Sequence, residues 1–109
     1  MKARAPRGAL ACLCYILILV YEFRWNGWNR GKCDKHDVDP NDAEYVVNHP
    51  HRGFPRKISD GKILVMGQAA DGTYLEVIFV VDPEGTLFLI HARPLNDAEK
   101  RALRRRSRR

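Results

Sequence analysis

Glu76, His91 and Arg93 are the polar residues that break into the apolar runs of one stretch, KILVMGQAADGTYLEVIFVVDPEGTLFLIHAR, at positions 62–93. An arginine at a strand end can grip a phosphate or a carboxylate with two parallel N–H donors. Its plainer role is an ion pair with Glu76 or Glu99 that ties a helix to the sheet. Glu76 can serve as a base on the sheet face, or simply pair with a cation on the neighbouring strand. Lys62 opens the stretch and offers a second phosphate contact, unless it is an ordinary exposed lysine. His36 follows a helix, whose C-terminal dipole favours the protonated ring, so it suits an acid or base as well as a capping role. Glu99 reads first as a capping carboxylate and second as a site residue. His91 and Arg93 fall on one side of their strand, where a histidine can supply a missing group or be merely structural. His49 and His51 have no carboxylate or cysteine at ligand spacing, so neither a metal nor another cofactor is expected.

These residues need a sheet to hold them. Asp71-Gly72 between two β-rich runs predicts a hairpin with both central residues at positive φ. Asp82-Pro83-Glu84-Gly85 predicts a second reversal, Pro83 presetting φ and Gly85 closing the turn. In the middle run Leu75, Val77, Phe79 and Val81 alternate with Tyr74, Glu76, Ile78 and Val80. Strict alternation in the third puts Phe88, Ile90 and Ala92 on one side, and Leu87, Leu89, His91 and Arg93 on the other.

Upstream, residues 21–25 alternate as a short first strand. Asn26 can cap a helix over residues 27–35, with Trp28 and Cys33 facing inward. A second helix is marked by Asp39 at its N-cap, Pro40 at its first position, and Ala43, Val46 and Val47 at i, i+3, i+4 spacing; Pro50 ends it. Residues 48–59, rich in turn formers and cations, lead into a short strand near 56–59, and Asp60-Gly61 turns the chain into the meander. Leu95, Asn96 and Glu99 form a staple and capping box for a last helix over about residues 97–106, with a thin apolar stripe of Ala98, Ala102 and Leu103. The predicted class is α+β: an antiparallel sheet of four to five strands, two N-terminal helices and one C-terminal helix, packed mainly on one face.

A chain of 109 residues fits one domain. Three cysteines, two of them as Cys12-x-Cys14 in an apolar run, argue for free thiols in a reducing cytoplasm rather than a disulfide framework. The net charge of +6 belongs to the ends. Lys2, Arg4 and Arg7 lie at one end and six arginines between positions 101 and 109 at the other, leaving 10 basic against 13 acidic residues between them. A basic end suits a polyanion, and a solvated tail equally.

Residues 1–20 stand apart from the rest. Three cations precede an apolar run at 9–20, in the order of a signal peptide, but no Ala-x-Ala site follows. The run is shorter than the roughly 20 residues of a membrane span, so no stable membrane association is expected. The preferred reading is a reading frame opened too early, with Val20 as the true start. The expected organisation is an apolar extension at 1–20, one domain at 21–106 and a basic tail at 107–109.

From about Tyr21 to Arg106 the chain resembles the BrnT family of type II toxins, whose fold is RelE-like. FRWNGWNRGKCDKHDV resembles the family's opening strand, Asn-bearing helix and Lys-His-x-Val step; PNDAEYVV resembles its acidic second helix. GKILVMGQAADGTYLEVIFV resembles the hairpin, and HARPLNDAEKRAL the Ala-Arg close. The resemblance implies a toxin that cleaves RNA as a metal-independent endoribonuclease and is neutralised by a cognate BrnA-like antitoxin. Operator DNA would be engaged only through that antitoxin. Thr73 stands where the family carries an arginine, His91 where it often has Ser or Thr, Lys100 in place of an arginine and Leu103 in place of an aromatic.

Such cleavage requires a base for the ribose 2′-hydroxyl, cations for the phosphate and an acid for the leaving oxygen. Arg93, His36, Glu76, Lys62 and Glu99 are the candidate catalytic residues. Arg93, Lys62, Lys100 and Arg101 are the candidate RNA contacts. The alternative left open by Thr73 is a weak or inactive toxin-like subunit that only binds an antitoxin or RNA.

Overall fold

The computed structural model describes residues 21–107; the expectations placed on residues 1–20 and on the tail beyond Ser107 lie outside the described residues. Helices α1 (Gly27–Asp34) and α2 (Pro40–Asn48) precede strands β1 (Arg56–Lys57), β2 (Ile63–Gln68), β3 (Tyr74–Val81) and β4 (Leu87–Pro94), and α3 (Asp97–Ser107) closes the chain. The strands form one antiparallel sheet in the order β1-β2-β3-β4. The class is therefore α+β, as the pattern predicts. Among the described residues no helix is long and apolar enough to cross a membrane.

The expected first strand shrinks to a single bridge. Phe23 pairs in parallel with Leu87, its flanking residues bonding through Arg24 N–H to the Leu87 carbonyl (2.8 Å) and Leu87 N–H to the Glu22 carbonyl (2.9 Å). The ladder stops there because Asn26 begins a capping box with Asn29, which starts α1 at the next residue, Gly27. Asn29 is also fully buried and donates through Nδ2 to the Arg24 carbonyl at 3.0 Å. Of the two expected inward residues of α1, Cys33 is buried, and burial pushes its thiol up to about 11. Trp28 is 53% exposed and stacks on Phe88 instead.

Both hairpins use three-residue loops. Ala69 and Thr73 pair across one, with Gly72 at φ +94°, and Asp82 and Thr86 across the other, with Gly85 at φ +96°. In each, the glycine occupies the left-handed position where a Cβ would be strained, and its N–H closes the turn on the residue three before it. Asp71 keeps a negative φ, so the two-residue turn expected at Asp71-Gly72 is not the one formed.

Strict alternation holds in β3, where Leu75, Val77 and Phe79 are buried; Val81, at its end, is exposed. It fails in β4. Ile78 pairs with His91 and Phe79 with Leu89, so Ile90 is an extra residue without a partner. This bulge resets the side-chain phase. Leu87 and Leu89 enter the core beside Ala92, while His91 and Arg93 face the other way with Glu76. Deleting Ile90 is expected to leave an unbroken β3–β4 ladder with every other side chain on its present face. A thermal melt should place the midpoint within about 4–8 °C of the parent, the shift for roughly 1 kcal/mol in a domain of this size.

The predicted N-cap Asp39 accepts from Asn41 N–H (2.8 Å), and Ala43, Val46 and Val47 turn inward. This helix crosses β2 closely: a Cβ at Gly67 would sit 3.2 Å from the His49 carbonyl oxygen. While α1 and α2 pack on the core side, α3 lies over the opposite face, where Leu103 and Ala102 line a groove with Leu64 and Met66 and Arg104 sits over Tyr74. Two of the three helices thus share one face, as expected, and α3 alone takes the other. The reason lies in the capping box at Asn96, which redirects the chain straight from the Arg93 end of β4 across that face.

Candidate functional site

The open face beside α3 gathers four of the chemically capable residues. Register sets Glu76 opposite Arg93, and Ile78 opposite His91. The capping box fixes Glu99: its Oε1 accepts from Asn96 N–H at 2.8 Å, while Glu99 N–H donates to Asn96 Oδ1 at 2.8 Å. Arg93 then joins strand to helix. It donates from Nη1 to Glu99 Oε1 (2.9 Å) and from Nη2 to Glu99 Oε2 (2.7 Å), a bidentate fork. A further bond from Nη2 reaches Glu76 Oε1 at 3.0 Å, and Nη1 also meets the Pro94 carbonyl at 3.1 Å. Four of its five N–H donors are thereby used.

Glu76 is the hinge of the cluster. Its second oxygen, Oε2, lies 3.1 Å from His91 Nε2. A carboxylate only accepts, so this contact places the His91 proton on Nε2 and leaves Nδ1 as a lone-pair acceptor. Desolvation by burial lowers the His91 pKa from the usual imidazole value, against the pull of Glu76; Arg93 and His36 push the same way as burial. The neutral ring is therefore the favoured form. The His36 ring meets it edge-on, with centroids 6.1 Å apart.

The Arg93 fork, the Asn96 N–H and the Arg93 charge hold the Glu99 carboxyl down at about 2. A carboxyl whose folded pKa is depressed adds stability above its unfolded value and loses it as pH falls through the folded one. The Glu99 contribution is thus full above about pH 4.5 and gone near pH 2. His91, whose folded pKa is also lowered, loses stability on acidification too, but near and below pH 6.5. Acid titration monitored by circular dichroism should show Glu99→Gln flattening the stability profile between about pH 4.5 and 2 while leaving the higher segment in place.

The structure brings Arg93, Glu76 and Glu99 into direct contact and sets His36 beside His91. Lys62 stays apart: it precedes β2, four residues before Met66, the partner of Glu76, or about 13 Å of extended chain. Lys100 is 3.8 Å from Asp97 of its own helix, and Arg101 is exposed. The central place of His91 was the reading least accessible from the sequence. Its one signal was the shared side with Arg93. Among the described residues, no group of three or more His, Cys, Asp or Glu side chains is placed to hold a metal ion.

Comparison with protein-family models, with curated proteins and with solved structures finds no match to this chain.

Proposed function

We propose that this protein is a metal-independent endoribonuclease of the BrnT toxin type, working by general acid–base chemistry on the face between β3, β4 and α3. The observation that carries the reading is the Glu76–His91 contact, which orients a neutral imidazole with a free Nδ1 beside a guanidinium. Nδ1 takes the ribose 2′-hydroxyl proton as that oxygen attacks phosphorus. The P–O5′ bond breaks, and His36, whose ring lies 6.1 Å from that of His91, returns a proton to the leaving oxygen. Glu76 stabilises the imidazolium that forms, and the Arg93 charge offsets the growing negative charge on the phosphate. The products are a 2′,3′-cyclic phosphate and a 5′-hydroxyl.

Support also comes from the ordered motifs of the sequence and from an α+β topology with two N-terminal helices and a capped C-terminal one. The same reading makes the protein cytoplasmic and its partner a BrnA-like antitoxin, which would carry the operator-binding module.

One observation favours a second reading, a toxin-like subunit that binds without cutting. Arg93 is held by Glu99, Glu76 and the Pro94 carbonyl, with Nε–H left over, so a phosphate must displace Glu99 to receive the fork. Incubating the purified chain with RNA in excess chelator separates the two. Fragments ending in cyclic phosphate are expected; intact RNA at high protein excess overturns the ribonuclease reading.

A further inference from the structure

A second cationic feature lies on the same sheet face, at the end of α3 away from Glu99. Register places Arg56 of β1 opposite Leu64, in the row that continues through Ile78 to His91. Arg106 comes down from α3, two turns or about 10 Å beyond Glu99. The two guanidiniums share one ring: Arg56 Cζ is 4.7 Å from the Phe54 centroid and Arg106 Cζ 5.7 Å. Gly53, at φ +95°, leaves space between them; a Cβ there would lie 3.4 Å from Arg106 Nη1 and 3.7 Å from Arg56 Nη2.

Two like charges drawn to one point repel unless an anion joins them. Among the described residues, neither guanidinium has a carboxylate partner. Glu99, which lines the same groove of about 160 Å³, spends its oxygens on Arg93 and Asn96.

We propose that Arg56 and Arg106, held on Phe54, form a phosphate clamp for single-stranded RNA. It seats the strand away from the bond being broken, with the groove along α3 as the path between clamp and Glu76–His91. Paired guanidiniums match the several oxygens of a phosphodiester, and their planes offer a surface on which a base can stack. An acidic protein segment would satisfy the charges but makes no use of the continuity with His91, so RNA is the ligand we argue for. The proposal rests on RNA being the substrate of the neighbouring site.

The test is anisotropy of fluorescent single-stranded 2′-O-methyl RNA, which lacks the attacking hydroxyl, titrated with the full chain at several salt concentrations. Arg56→Gln/Arg106→Gln should flatten the slope of log affinity against log salt by about 0.7 to 1.4, as one or two phosphate contacts are lost. Phe54→Leu should weaken binding in the same direction with both charges retained. An unchanged slope in the double variant overturns the clamp. So does equal flattening by Arg30→Gln on α1, which would reduce the effect to bulk charge. Loss of affinity for a polyglutamate peptide with RNA binding intact would make the surface a protein-docking one and also overturn it. Cleavage of unmodified RNA is read separately: if the slope responds while no RNA is cut, the clamp stands and the ribonuclease reading fails.

Discussion

Replacing His91 with alanine is expected to slow RNA cleavage by about 10²–10⁴-fold, the usual contribution of a positioned general base. Stability should change little in comparison, because His91 packs on the half-exposed face and not in the core. The pH profile tells a base from a merely structural histidine. Wild-type kcat/KM should fall on the acid side as His91 takes up a proton, and that limb should vanish in His91→Ala. Two neighbours then move the limb in opposite directions. Glu76 raises the His91 pKa and Arg93 lowers it. Glu76→Gln should therefore carry the limb to lower pH, with a reduced plateau because the ring loses its orienting acceptor. Arg93→Gln should carry it to higher pH. A profile that stays in place in both variants would remove His91 from the reaction.

Phe23→Ala carries the largest expected effect on stability. The ring is fully buried, stacks on Trp25 with centroids 6.1 Å apart, and sits where the chain bonds on both sides to Leu87. Truncating a buried phenylalanine costs about 3–5 kcal/mol, from lost transfer free energy and from the cavity left behind. Domains of this size hold only about 5–15 kcal/mol in total, so much of the folded population is at stake. The melting midpoint should fall by roughly 12–40 °C. Phe23→Leu keeps most of the volume and should recover the greater part of the loss. The same bridge anchors β4, so a drop of only a degree or two would mean that the 21–25 segment is dispensable to the sheet.

Helix α3 and its Glu99 were legible because a capping box is local chemistry: Asn96 and Glu99 satisfy each other's backbone groups whatever else the chain does. The same holds for α2, announced by Asp39 and Pro40, and for the reversal at Asp82-Pro83-Glu84-Gly85. Trp28 was misread because apolarity counts only where there is something to bury against. On α1 the inward position went to Asn29, whose side chain accepts from Asn26 N–H to finish the cap and donates to the Arg24 carbonyl. Lys62 was grouped with the site by its sequence place at the head of the meander, yet the length of β2 carries it away from Glu76.

The cluster itself divides the same way. Residue types and spacing were enough to establish an antiparallel α+β domain, to single out Glu76, His91 and Arg93 as its polar exceptions, and to place Glu99 at the start of the last helix. Only the tertiary structure decided how they meet. Alternation alone would have turned Leu87 and Leu89 to the same side as His91 and Arg93, burying all four or exposing all four. The unpaired Ile90 resolves that conflict by resetting the phase within β4. A bulge has no strong local signature, because its placement is settled by which leucines the core can hold and which charges the opposite strand can pair.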